Sequence, residues 1–349
     1  VFSCVGCSED SSVDDNGEYE TSTTQEARSQ EVESSPVTTP SSAVRGLSIS
    51  VDNKTGLLNI SRMTPEVVGE IGDSGVWTIF VYMCGTDLET NCGMGTGDIA
   101  EMCAASDSDN VRFVVETGGT YEWQNSAVES ESIQRFVVQH GAIEAVDEQL
   151  RTSMGSASTL SDFLLWGVEN YASEHMGVVL WDHGGGSVTG ICFDERENYD
   201  SLSLVELDEA LCTYYGQRGR RFDFIGFDAC LMGTVETANI LATYADYMYG
   251  SEETEPGSGW DYTTIGDFLA SNPDADGLML GKVVCDSFLA ACKAQNDDNL
   301  TTLSVIDLGN IDTLLDAFNI FASGMYNVSS NTAVRAEIIR AIEQADNFG

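Results

Sequence analysis

Two apolar runs, each ending abruptly in reactive polar residues, constrain this chain more than any other feature. Val178-Val179-Leu180-Trp181 leads into Asp182-His183-Gly184-Gly185-Gly186, and Phe224-Ile225-Gly226-Phe227 leads into Asp228-Ala229-Cys230-Leu231-Met232-Gly233. A short continuous apolar run reads as a strand buried on both faces, the habit of parallel sheets covered by helices on either side. Reactive groups of open parallel sheets gather at the carboxyl ends of their strands. An imidazole and a thiol delivered there together point to a cysteine nucleophile with its acid–base partner.

The rest of the chain repeats the pattern. Strand-like runs at 77–84, 111–116, 133–139, 177–181, 222–227, 247–250 and 302–306 alternate with helical stretches at 160–173, 204–215, 232–244, 278–293 and 311–325. This alternation predicts an α/β fold, a mostly parallel β-sheet with helices on both faces. Ser203 followed by Glu206 is a capping box for the helix at 204. The runs at 111–116 and 133–139, joined by a polar loop, read as a hairpin edge, and 57–60 as a short strand.

Cys230 follows His183 by 47 residues, enough for one crossover between parallel strands. Asp-His-Gly-Gly-Gly followed by Phe-Asp-Ala-Cys-Leu-Met-Gly resembles the clostripain family of cysteine peptidases, as do Ile79-Phe80-Val81-Tyr82-Met83 and Asp87-Leu88-Glu89. The resemblance covers roughly residues 76 to 349. It implies a caspase-like sandwich and an endopeptidase cutting after Arg, with Lys as the second candidate. Three segments are therefore expected: an acidic tether at 1–45, a connector at 46–75 and a peptidase domain at 76–349. Family members continue with a further strand and helix where this chain stops at Gly349, so the domain is expected to be truncated there.

The residues divide the chemistry among themselves. A thiol is mostly protonated at neutral pH, and a helix N-terminus or nearby imidazolium favours the thiolate. Cys230, read as opening the helix at 232, is the expected nucleophile, and His183 the general acid and base. The backbone amides of Gly184 and Cys230 are candidates for the oxyanion hole, with Gly184–Gly186 letting backbone approach a substrate. Asp228, two residues before Cys230, points the same way along a strand, and the resemblance makes it the reader of a basic P1 side chain. Asp182 is adjacent to His183 on its strand and so faces away from it. Glu252 and Glu253 are candidates for extra pocket charge, against the simpler reading of a solvated acidic loop. Arg196, Arg218, Arg220 and Arg221 lie between His183 and Cys230, where the resemblance implies self-cleavage.

Charge and cysteine content limit the partners. Lys+Arg 15 against Asp+Glu 57 gives −42, which disfavours nucleic acid and anionic lipid. Expected partners are protein or peptide substrates with a basic P1 residue, and the chain is expected to act as a monomer. The polar, acidic first 42 residues cannot bury enough to fold. Ser3-Cys4 and Gly6-Cys7 resemble the end of a lipoprotein signal, making Cys4 or Cys7 a candidate for lipidation and the bacterial surface or exterior the expected location. Cys84, Cys92, Cys103, Cys192, Cys212, Cys285 and Cys292 read as buried free thiols. With His140, His175 and His183 as its only histidines, the chain has no evident metal centre and no cofactor requirement, although the resemblance brings calcium into question.

Two rivals follow from the same sequence. Gly93-Met94-Gly95-Thr96-Gly97 falls one residue short of the spacing of a dinucleotide-binding turn. A surface lipoprotein that keeps the fold but only binds is the alternative to an enzyme, and intact His183 and Cys230 argue against it.

Overall fold

A computed structural model describes residues 45–345 apart from 53, 55, 56 and 297–300. The candidate lipidation positions Cys4 and Cys7 lie outside the described residues. Leu47–Val51 (β1) and Leu58–Arg62 (β2) form an antiparallel hairpin, tied down by Arg62, which pairs with Asp312 at 2.8 Å. The following strands are β3 (Asp73–Cys84), β4 (Val111–Gly118), β5 (Ser132–Gln139), β6 (Ala142–Leu150), β7 (Ser173–Trp181), β8 (Ile191–Asp194), β9 (Asp200–Leu202), β10 (Phe222–Asp228), β11 (Ala245–Gly250) and β12 (Ser304–Asp307). The helices are α1 (Thr86–Cys92), α2 (Met94–Ala104), α3 (Ala157–Tyr171), α4 (Gly186–Thr189), α5 (Leu204–Arg218), α6 (Val235–Leu241), α7 (Tyr262–Ser271), α8 (Gly277–Gln295), α9 (Ile311–Val328) and α10 (Thr332–Glu343).

Eight strands make one sheet in the order β12-β11-β10-β7-β3-β4-β5-β6. Its centre, β11-β10-β7-β3-β4, is parallel, and both flanks are closed by antiparallel strands. The α/β architecture expected from the alternation is therefore present, with the mostly parallel, helix-flanked sheet that the resemblance implies. Strand β3 shows why its apolar run is continuous. Phe80 and Tyr82 pack with Phe163, Leu164, Leu207 and Leu211 of α3 and α5, whereas Ile79, Val81 and Met83 pack with Ile99, Ile265 and Val284 of α2, α7 and α8. Each such side chain, taken wholly out of water, stabilises the fold by ~1.5–3 kcal/mol, so a strand serving two cores has no polar face.

Every expected strand is present. The capping box also forms, Ser203 accepting from the Glu206 amide and the Glu206 carboxylate accepting from the Ser203 amide. Three departures matter. The helix expected at 232–244 is only Val235–Leu241, capped by the Thr234 side chain, because Leu231 takes a left-handed turn (φ 64°) before it. Strand β6, charged and largely exposed, carries no buried-strand pattern. Cys92, expected as a free thiol, is disulfide-bonded, whereas Cys84, Cys103, Cys192, Cys212 and Cys285 are free.

Candidate active site

Parallel register brings three strand ends level. Met83 of β3 lies opposite Trp181 of β7, and Trp181 opposite Asp228 of β10. The residues just beyond these ends therefore converge: Asp87 in α1 after β3, Asp182 and His183 after β7, Ala229 and Cys230 after β10.

His183 is buried, and its Nε2 lies 2.9 Å from Oδ1 of Asp87. Burial alone would lower the His183 pKa, but the Asp87 hydrogen bond, the Asp182 and Asp87 charges and Cys230 together raise it above the ordinary histidine range. The same hydrogen bond holds Asp87 below the usual carboxylate range. The imidazolium is thus favoured at the point where a thiolate would need a counter-charge. Asp182 is turned elsewhere, as its place on the strand predicts: its carboxylate accepts from the amide of Phe193, and burial raises its pKa. Asp87 is a partner of His183 that the sequence reading missed. It stands 96 residues from His183, and its one signal was the Asp-Leu-Glu string after the first strand.

Cys230 is buried at a sharp turn rather than at a helix end, which corrects the expectation of a helix dipole at the thiol. The first residue of α6 is Val235, beyond the last turn in which such an effect acts. The turn is instead pinned to the segment after β11. The Leu231 amide donates to the Glu253 carbonyl at 3.1 Å and the Gly233 amide to the Ser251 carbonyl at 2.7 Å. The Glu255 amide donates to Sγ of Cys230 at 3.2 Å, a hydrogen bond of the kind that favours negative charge on sulfur.

Beside the thiol lies a pocket whose lining includes Asp98, Trp181, Asp228, Cys230, Glu255 and Gly259. Asp228 therefore shares the cleft with Cys230, as the strand period predicts. Its Oδ2 accepts from the Tyr262 hydroxyl at 2.9 Å and the Trp260 amide at 3.2 Å, and burial pushes its pKa up to about 7. Gly259, in the left-handed region (φ 60°), leaves the other side of this carboxylate clear: a Cβ there would stand 3.1 Å from Oδ1. Asp98 accepts from Nε1 of Trp181 at 2.6 Å; burial and the neighbouring Asp228 raise its pKa well above the ordinary value. Glu255 carries two buried carboxylate oxygens without a hydrogen-bond partner. Asp98 and Glu255 were missed in the sequence because the fold, not spacing, brings them to Asp228. Glu252 and Glu253 look elsewhere, Glu252 accepting from Ser304 and Glu253 from the Thr254 amide.

The remaining sequence candidates have definite places. A Cβ on Gly184 would come within 2.0 Å of the Cys230 carbonyl oxygen, so the turn that carries Cys230 uses that close approach. The glycine-rich 93–97 segment enters α2, whose Thr96 amide and hydroxyl are taken by the Glu89 carboxylate. That carboxylate sits where a nucleotide phosphate would have to bind, which overturns the nucleotide reading. Arg196 pairs with Glu131, Arg218 with Glu169 and Arg221 with Asp246, and Arg220 donates to the Ile71 carbonyl at 2.7 Å. Among the described residues no group of three or more His, Cys, Asp or Glu side chains is placed to hold a metal, and no helix is long and apolar enough to cross a membrane.

Comparison with known proteins agrees with this geometry. Clostripain of Hathewaya histolytica is 28% identical over 151 residues, 37% of this chain and 28% of that protein, so the match spans little more than a quarter of the relative's length. A secreted C11 cysteine protease from Bacteroides thetaiotaomicron, solved with an irreversible peptide inhibitor, superposes with a TM-score of 0.54 at 20% identity, over 69% of this chain and 68% of that one. An inactive zymogen C11 protease from Parabacteroides distasonis superposes with a TM-score of 0.52 at 22% identity, over 71% and 65%. At such identity these two show a shared fold. The sequence profile of the clostripain family, peptidase family C11, matches residues 81–347, more than half the chain and both arms of the site: the chain belongs to the clostripain family.

Proposed function

We propose that this chain is a cysteine endopeptidase that cuts after arginine, with lysine as the second candidate. The observation that carries the reading is the buried carboxylate of Asp228 in the pocket beside Cys230, a site suited to a desolvated cation. The Cys230 thiolate attacks the scissile carbonyl carbon, and the oxyanion is held by the amides of Gly184 and Cys230, each donor contributing ~3 kcal/mol to the transition state. With Nε2 engaged by Asp87, Nδ1 is the nitrogen that gives its proton to the leaving amine. The same nitrogen then takes a proton from the water that hydrolyses the thioester, the sulfur leaves as thiolate, and the thiolate–imidazolium pair is restored.

Self-processing at Arg196, Arg218, Arg220 or Arg221, secretion to the cell exterior, lipid attachment through Cys4 or Cys7, action as a monomer and a role for calcium belong to the same reading. They rest on the resemblance and on sequence. The four arginines are tied into ion pairs or carbonyl contacts, so cleavage at any of them would require that segment to leave its place.

The test is hydrolysis of matched fluorogenic peptides ending in Arg, Lys, Asp or Asn, by the full chain and by Cys230→Ala, with and without calcium. Cleavage after Arg or Lys, abolished in the variant, is expected. Cleavage after Asp or Asn would overturn the role given to Asp228. No cleavage, with no labelling of Cys230 by an Arg-directed thiol reagent, would make the chain a binding protein with a peptidase fold.

A further inference from the structure

We infer that Glu255 is a second specificity-determining carboxylate, and that a P1 guanidinium is held between Asp228 and Glu255. This rests on the proposed basic P1 specificity and extends it to a residue outside the Asp-x-Cys motif. Three observations support it. Glu255 is 7% exposed, yet neither of its carboxylate oxygens has a hydrogen-bond partner, an arrangement that costs stability unless a donor arrives. Its place is fixed relative to the reacting atom, because its own amide donates to Sγ of Cys230. And the pocket needs acceptors. A guanidinium brings five N–H donors, whereas Oδ2 of Asp228 already accepts from Tyr262 and Trp260, and Oδ2 of Asp98 from Trp181.

The lining contains no Lys, Arg or His, and none of the ion pairs among the described residues includes Asp98, Asp228 or Glu255. Nor is the cluster arranged to hold a metal ion. Acidic side chains gathered under cover without a counter-ion are completed by a cation of larger size and directional donors, which a guanidinium supplies and an ammonium supplies less well. The competing role is that of a neutral core acid. Burial, with Asp228, Cys230 and Cys292 beside it, holds Glu255 well above the ordinary carboxylate range, and a cation in the pocket would oppose that shift.

The experiment compares the full chain with Glu255→Gln, Glu255→Asp and Asp228→Asn on peptides identical except for P1 Arg, Lys or citrulline, the last being the uncharged isostere of Arg. Alkylation of Cys230 by iodoacetamide reports whether the thiol is intact. Glu255→Gln is expected to lower the Arg-to-citrulline ratio of kcat/KM by ~10–100-fold, the loss of one charge-assisted hydrogen bond, mainly through KM and with alkylation unchanged. Glu255→Asp should recover part of the ratio, and Asp228→Asn should lose more. A Glu255→Gln ratio within twofold of wild type, while Asp228→Asn collapses it, overturns the role of Glu255 and leaves basic P1 specificity standing. A wild type without preference for Arg over citrulline overturns both. Should Glu255→Gln fail to fold, Glu255→Asp decides: a shifted ratio with normal alkylation supports the inference, and an unchanged ratio overturns it.

Discussion

Replacing Asp87 by Asn removes one charge and little else. The carboxamide oxygen introduced by Asp87→Asn can still accept from Nε2 of His183, so ring orientation is kept while the imidazolium loses its nearest anion, now 2.9 Å away. A hydrogen bond between charged groups is worth ~1.5–3 kcal/mol. The Asp87 side chain is 40% exposed, and solvent screening brings the expected loss to ~1–2 kcal/mol, or ~5–30-fold in kcat/KM. Because Asp87 helps raise the His183 pKa, the alkaline limb of the pH–rate profile, where imidazolium is lost, should move to lower pH in the variant. Stopped-time hydrolysis of an Arg peptide across pH 5–9, beside a thermal melt to show the fold is intact, measures both. A folded Asp87→Asn enzyme within twofold of wild type and with an unmoved alkaline limb would refute the assignment of Asp87 as the positioning residue.

Two further outcomes follow from the same geometry. Gly184→Ala must push the new methyl away from the Cys230 carbonyl, which should displace the nucleophile turn and cost ~1–3 kcal/mol of stability with at least ~100-fold in activity; a stable variant within threefold of wild-type rate would contradict this. Asp228, with its folded pKa raised to about 7 from ~3.9 in an unfolded chain, contributes stability that is complete below the unfolded value and lost as pH rises through 7, up to about 4 kcal/mol. The groups facing it are Asp98, Glu101, Glu255 and Tyr262. Urea denaturation of wild type and Asp228→Asn at pH 5 and pH 8 should therefore show a flatter pH dependence in the variant, and equal slopes would exclude Asp228 as the source.

How far the site could be read beforehand depended on whether its residues sit on one strand or several. Cys230 and Asp228 share a strand end, so a period of two predicted their common cleft. His183 ends another run whose apolar pattern was equally plain. Asp87, Asp98 and Glu255 reach the same place from three other segments, and only strand order and register bring them there. The helix expected at 232 failed for a local reason: Leu231 adopts a left-handed conformation that nothing in a Cys-Leu-Met-Gly string announces. Strand β6 was illegible because an edge strand facing water keeps charged residues such as Glu144, Asp147 and Glu148, where a buried strand would show its apolar run. Helices α1 and α2 were hidden by Gly93, Gly95 and Gly97; Gly93 forms the left-handed junction between them against Gln124, and Gly95 packs under Trp123.

The backbone bonds from Leu231 to Glu253 and from Gly233 to Ser251, with the Glu255 amide on the Cys230 sulfur, make that sulfur and one wall of the pocket a single mechanical part. Selectivity and turnover are then not separate dials. A lineage that re-routes the backbone of 251–255, rather than exchanging one side chain on it, also re-aims its thiol, and must repair the aim with compensating changes near Cys230. Change on α2, where Met94 and Asp98 also line the pocket, touches neither the sulfur nor the Asp87–His183 contact, and that is where new preferences would arise most readily.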